Sequence, residues 1–336
     1  TRLPANPPLP LLVTGIAGVA GYGAFAYFRE RFGEQVIGIR QSDNWPLSGP
    51  GIVACDAEDP NGLRNLFAEH RFSAVLNCAG NCALKKCELD PAMAARINVR
   101  GVENLLQVIA DQPQPVRLVH LSIDLVYSGT RGGNHREDDF VDPVTHYGRT
   151  MVEAEQAVLA NLPSAAILRI SLPMGVSFNG HAGAIDWIQS RFIKNKPATL
   201  YYDEVRTPAY VDCLNRLFSD VLGRDLPGVF HAGGPQRLSL FQIAQIVNRV
   251  GGYDPDLLQG CYRRDAGPMP PRAGNVTMDS SRLSQVIGYE PFDPWPLAPE
   301  HTPTDPTWHY RRDGFTGSPE LLAEALYRNP RYAATL

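Results

Sequence analysis

The sequence lacks three things. It has no apolar run of about 18 residues, so no segment is suited to crossing a bilayer as a helix. It lacks an excess of charge: 31 Lys and Arg stand against 35 Asp and Glu, a formal charge of −4. That balance argues against an electrostatically driven nucleic-acid binder, which needs clustered basic residues. It is also poor in cysteine, with six in 336 residues, too few for a disulfide scaffold. Cys78, Cys82 and Cys87 are spaced by four and five with no His among them, which does not match a metal site, so reduced thiols are expected. The opening TRLPANPPLP has no charged region followed by a long apolar stretch and is not expected to act as a secretory signal. With 44% hydrophobic residues, the chain can bury a sizeable core. The expectation is a cytoplasmic globular protein with neither nucleic acid nor membrane as partner.

What the chain does have is alternation. LLVTG (11–15), QVIGI (35–39), AVLNCAG (74–80), VRLVHLS (116–122) and AAILRIS (165–171) are short Val/Ile/Leu-rich runs flanked by turn residues, as buried strands are. Between them lie amphipathic stretches such as 61–70 and 91–112. In the second, Ile97, Val102, Leu105, Leu106 and Ile109 recur at helical spacing. Strand and helix in alternation predict an α/β fold with a doubly wound parallel sheet. The texture changes after Ser171. A smaller, interleaved substrate lobe is expected over 173–202 and 236–292, with the dinucleotide-binding domain spanning 8–172 and regained over 203–235. A Pro-rich tail with one helix fills 293–336. This tail is expected to pack across the domain or onto a second subunit of a homodimer.

Gly15, Gly18 and Gly21 form G-x-x-G-x-x-G directly after the first strand and at the start of a helix. Glycine there permits a tight turn, lets backbone N–H groups approach a pyrophosphate and allows close helix–strand packing. The helix N-terminus adds partial positive charge. The second strand ends in Arg40, followed by Gln41 and Ser42, where an acidic residue would favour NAD. An Arg accommodates a 2′-phosphate, so NADP(H) is expected over NAD.

With this loop, Ser122 and Tyr147, the chain resembles the extended short-chain dehydrogenase/reductases, which have the Rossmann fold. Within them it is most similar to the dTDP-4-dehydrorhamnose reductase branch and the related regulatory subunit of methionine adenosyltransferase. The pieces that carry the resemblance include VTGIAGVAG, ACDAED, VLNCAG, HLSIDLVYSG, DPVTHYGRT, DEVRTPAYVD and MDSSRLSQVIGYEP, spread over about 10–291. The resemblance implies that Asp56 lies beside the adenine and that Cys78, Ala79 and Gly80 pass near the nicotinamide half. It also implies that Ser122 and Tyr147 are catalytic, in hydride transfer between the nicotinamide ring and a carbonyl or alcohol carbon. The substrate it implies is a small carbonyl compound, sugar-nucleotide-like.

One position departs from the pattern. The family places a Lys four residues after the Tyr, on the same helix face, where it lowers the Tyr pKa and holds the nicotinamide ribose. Here that position is Met151. A Tyr without this help is about 0.1% ionised at neutral pH, a handicap for a base but not for an acid. Arg149 lies on another helix face; Lys85 and Lys86, after the strand-end segment, could approach the site, and Lys85 is weighed as the substitute cation against a solvated loop charge. On the substrate side, Arg206 is expected either to meet an anionic group or to form an inter-lobe salt bridge, and Asn179 and His181 to lie in a loop near substrate. Three functions follow: an NADP(H)-dependent reductase, a catalytically weak regulatory protein that keeps the nucleotide site, or an epimerase or dehydratase, which needs the Tyr base most.

Overall fold

The computed structural model describes Pro4–Tyr332; the first three residues of the N-terminal segment and the last four of the tail lie outside it. Seven strands build the central sheet: β1 (Leu11–Thr14), β2 (Val36–Arg40), β3 (Ile52–Ala54), β4 (Ala74–Asn77), β5 (Arg117–Ile123), β6 (Ala166–Ile170) and β7 (Gly228–Ala232). Their order is β7-β6-β5-β4-β1-β2-β3, and every pair is parallel. This is the doubly wound arrangement the alternation predicts. The reversal between β1 and β4 opens a crevice at the carboxyl edge of the sheet, the place where such folds bind ligands.

Alternate strand residues feed two cores. Leu11, Val13, Leu76 and Leu168 join one face with α1 (Val19–Phe32) and α8 (Val211–Leu222). Leu12, Val75, Leu118 and Ile167 join the other with α2 (Pro60–His70), α5 (Gly101–Ala110) and α6 (His146–Asn161). Burial of side chains such as Phe28 and Phe67 on the two faces contributes about 1.5–3 kcal/mol each. Helix α2 starts where Asp59 accepts from the amides of Asn61 and Gly62 and Pro60 takes the first turn.

Two features were not legible as such. Strand β3 is a three-residue, partly exposed edge, too short for its apolar Ile52, Val53 and Ala54 to stand out as a strand. The stretch read as one helix over 91–112 is α4 (Pro91–Ala95) and α5 joined by a π-turn at Arg96–Arg100, after a short α3 (Leu84–Leu89).

Beyond β6 the chain leaves the sheet through α7 (Asp186–Ile193), returns through α8 and β7, and leaves again through α9 (Leu240–Val250) and α10 (Ser281–Ile287). Short paired strands bind the excursion together: Ala198–Tyr201 with Leu258–Cys261, and Val205–Arg206 with Leu238–Ser239. The tail folds onto its own chain. Trp295 is fully buried and α11 (Pro319–Tyr327) inserts Leu322 and Leu326 into the core that α8 and α9 share.

Candidate active site

The three glycines of the first loop do different work. Gly15 adopts φ +65°, and a Cβ there would lie 2.3 Å from the Cys78 carbonyl oxygen. A Cβ on Gly21 would lie 2.3 Å from the Gly15 carbonyl oxygen. Both positions are therefore demanded by packing of the turn on its neighbours. At Gly18 the nearest protein atom would be 3.6 Å away, so the protein itself tolerates a side chain there. Gly18 is the N-cap of the 14-residue α1, with no side-chain cap and no acid in the first turn. Its exposed face opens onto a cleft lined by Ala17, Arg40, Ala79, Gly80 and the apolar Ile39, Leu63 and Leu105. Free helix N–H groups at a glycine cradle, beside an apolar slot, fit a dinucleotide.

The strand-end turn at Cys78, Ala79 and Gly80 is held from the next strands. Thr14 Oγ1 accepts from the amides of Cys78 (3.0 Å) and Ala79 (3.1 Å), so its own proton goes to Asn77 Oδ1 at 2.6 Å. That orients the Asn77 amide to donate to His120 Nδ1 at 2.9 Å. His120 is buried, which lowers its pKa to about 4 and keeps it neutral.

At the end of β2, the Arg40 guanidinium bonds only carbonyls of its own loop: Leu47 (2.5 Å), Gln41 (2.9 Å) and Ser42 (3.3 Å). Among the described residues no carboxylate pairs with it, and its positive charge lines the cleft. Asp56 accepts from the Ser42 amide at 2.7 Å and hydroxyl at 2.8 Å, closing the same loop.

Tyr147, in the first turn of α6, is 7% exposed, and its hydroxyl makes no hydrogen bond with any described residue. Burial pushes its pKa well above the usual tyrosine value. Cys82 and Asp124 push the same way and Arg206 opposes them. Met151, one turn later, is buried in the same apolar cluster as Tyr147, Cys87 and Val126. Lys85 is exposed on α3 and is not among the groups acting on Tyr147.

The structure does not bring Ser122 to Tyr147. Ser122 Oγ donates to Glu155 Oε1 at 2.5 Å, deep in a network where Arg169 forks onto both Glu155 oxygens at 2.9 and 2.7 Å. Arg169 also reaches Tyr127 Oη, which lies 2.8 Å from His231 Nε2. Side chains alternate along β5, and at Ser122 this directs the hydroxyl towards the lower turns of α6 rather than the cleft. Arg206 forms a salt bridge, but within the dinucleotide-binding domain rather than between lobes: it is 5% exposed and grips Asp124 at 2.6 and 2.5 Å, with Glu204 at 3.8 Å. A guanidinium so committed is not presented to a ligand. Asn179 and His181 are exposed and bonded to each other through the Asn179 side chain and the His181 amide at 2.9 Å.

A family model described as the RmlD substrate binding domain matches residues 10–300. The chain belongs to the RmlD family. Among its relatives, the dTDP-4-dehydrorhamnose reductase of Mycolicibacterium smegmatis is 29% identical over 270 residues, 77% of this chain and 80% of that one. The methionine adenosyltransferase 2 subunit beta of Xenopus laevis is 26% identical, covering 82% and 81%. The dTDP-4-dehydrorhamnose reductase of Bacillus anthracis, solved in complex with NADP, superposes with a TM-score of 0.71 at 19% identity, over 85% of this chain and 95% of that one.

Three residues of this RmlD-family site escaped sequence reasoning. Asn98, in the π-turn, accepts from the Asn81 amide at 2.7 Å and donates to Thr150 Oγ1 at 3.0 Å, tying the strand-end turn to the helix of Tyr147. A buried Asn on an otherwise apolar helical stripe was the available signal. Glu155 and Asp124 were missed because their partners, Arg169 and Arg206, lie 14 and 82 residues away. The six cysteines are unpaired.

Proposed function

We propose that this protein is an NADP(H)-dependent reductase that reduces a carbonyl group on a small, sugar-nucleotide-like substrate, with an active site that works without the family lysine. The observation that carries this reading is Tyr147, a buried side chain whose hydroxyl bonds no described residue and whose pKa burial holds well above the usual tyrosine value. A neutral phenol is the acid that carbonyl reduction needs, and a poor base for the reverse reaction.

The residues present fit the cofactor. Gly15 and Gly18 with the first turn of α1 would hold the pyrophosphate, Cys78 to Gly80 would border the nicotinamide half, and Arg40 would meet a 2′-phosphate. NADPH, when bound, supplies a hydride. Tyr147 Oη gives its proton to the carbonyl oxygen as that oxygen gains charge, so the C=O bond becomes an alcohol and the phenolate is reprotonated from solvent. The Arg206–Asp124 pair near Tyr147 limits how far the phenolate is stabilised, because the carboxylate offsets the guanidinium. Apolar Met151 adds nothing to that charge, so turnover is expected to be slow, with reduction favoured.

A second reading, a cofactor-binding regulatory protein, is favoured by Met151 and by the engagement of Ser122 with Glu155, which together leave Tyr147 without the family lysine and without the serine hydroxyl. Epimerase or dehydratase chemistry, which needs a tyrosinate, is the least supported. NADPH consumption against dTDP- and UDP-4-keto sugars separates the readings: turnover supports the reductase, whereas tight NADPH binding with no consumption overturns it in favour of the regulatory role.

A further inference from the structure

The tail past residue 300, where the family match stops, packs back onto α7 of its own chain. Its helix α11 is seated without freedom to rotate. Leu322 and Leu326 are fully buried, the Ala325 carbonyl accepts from Tyr210 Oη at 2.8 Å, and the Leu326 carbonyl accepts from Trp295 Nε1 at 2.7 Å. Just beyond, the Asn329 amide donates to Asp212 at 2.9 Å. This seating delivers the Tyr327 hydroxyl to α7, 3.3 Å from Asp186 Oδ1 and 3.3 Å from Gln189 Oε1.

Asp186 is itself a clamp. Its second oxygen accepts from the Gly183 amide at 2.6 Å and the Ser177 hydroxyl at 2.8 Å, joining both ends of the loop 176–183. The carboxylate sits so close that a Cβ on Gly183 would lie 2.7 Å from it. The loop springs from Gly175, where a Cβ would lie 2.5 Å from Val211 of α8 and 3.4 Å from Val19, the first residue of α1. A chain of contacts thus runs from the tail through Tyr327 and Asp186 to a loop rooted beside the open N-terminus of α1.

We propose that the C-terminal tail is a retention device for the bound dinucleotide: Tyr327 is a positioning residue that holds Asp186, and through it the loop 176–183, against the phosphate end of the cleft. This rests on the reading that the cleft takes NADP(H). A surface-packing tail would need only its apolar face. This one spends a half-buried hydroxyl on the carboxylate that closes the loop.

The test uses the full-length protein and Tyr327→Phe, which removes only the hydroxyl. Two quantities are measured: amide hydrogen exchange of the peptide covering 176–184, and the NADPH dissociation rate by stopped-flow fluorescence. Loss of one long, half-buried hydrogen bond predicts that both accelerate about five- to ten-fold. Asp186→Asn, which weakens the clamp directly, is expected to exceed that. Unchanged exchange in Tyr327→Phe overturns the proposal. So does faster exchange with an unaltered NADPH dissociation rate, which would make the tail merely structural. If the wild-type protein binds no NADPH, the cofactor reading has failed and the retention role goes with it, whatever the exchange shows.

Discussion

Replacing Met151 by Lys restores a cation one helical turn from Tyr147, and the structure sets the size of the effect. Side chains at i and i+4 stand about 6 Å apart. At an effective dielectric of about 20, a unit charge at that distance favours the phenolate by about 3 kcal/mol, or about two pH units. The new Lys enters an apolar pocket where Met151 is 6% exposed, so its own ammonium is held at a cost in stability of several kcal/mol. Met151→Lys is therefore predicted to melt at a lower temperature. Its alcohol-oxidation rate at pH 8 should nonetheless rise on the order of 10–100-fold, with the rising limb of the oxidation pH–rate profile displaced downward by about two units. Reduction, which starts from the protonated phenol, should change by less than about ten-fold. The assay is NADP+ reduction and NADPH oxidation followed at 340 nm across pH 6–10, with Met151→Gln as the uncharged control. If Met151→Lys folds and binds NADP+ while the pH profile stays where it was, Tyr147 is not the proton donor and the reasoning fails.

Other outcomes follow from the same geometry. Gly18→Ala should fold normally, since the nearest protein atom is 3.6 Å away, yet weaken NADPH binding in a fluorescence titration. Gly21→Ala should lose about 1–3 kcal/mol in urea unfolding by forcing a methyl onto the Gly15 carbonyl. Arg40→Ala should cost NADPH about ten-fold or more in affinity and NADH much less, because the unpaired charge is what a 2′-phosphate would meet; equal losses would place Arg40 in loop support alone. Glu155→Gln should destabilise by about 3–5 kcal/mol by stranding Arg169, readable as a drop in Tm. His120 and His231 are each held neutral by burial, with pKa values lowered to about 4. The unfolded chain takes up those protons near the usual histidine pKa of about 6.5, so stability is full above that pH. It should fall at about 1.4 kcal/mol per pH unit per histidine as pH drops towards 4. His120→Asn should flatten that slope in acid titrations of Tm.

The fold was legible because its signals are local. Buried parallel strands are short apolar runs, and a glycine turn after the first of them needs no distant partner. Gly15 and Gly21 declare their packing role in spacing alone. The chemical end of the cleft was less legible, because what a side chain does there depends on the strand face it occupies and on partners far along the chain. Ser122 reads as a cleft hydroxyl until the pleat of β5 turns it to Glu155, and the sequence leaves Arg206 between a ligand and a salt bridge until Asp124, 82 residues earlier, takes it. The tail showed the same limit. Its prolines and tryptophans gave no sign of which surface they would cover, because the groups that seat it, Tyr210 and Asp212, belong to another lobe of the chain.

The proposed role of Tyr147 as the acid of an NADPH-dependent carbonyl reduction can be tested directly. The direct measurement is single-turnover NADPH oxidation by the wild-type protein and by Tyr147→Phe, with a dTDP-4-keto-6-deoxyhexose as substrate and NADPH affinity measured in parallel. Measurable turnover is expected in the wild type, with a loss of about 100-fold or more in Tyr147→Phe and unchanged NADPH affinity. Equal turnover in the two proteins, or NADPH bound by both and consumed by neither, would contradict it.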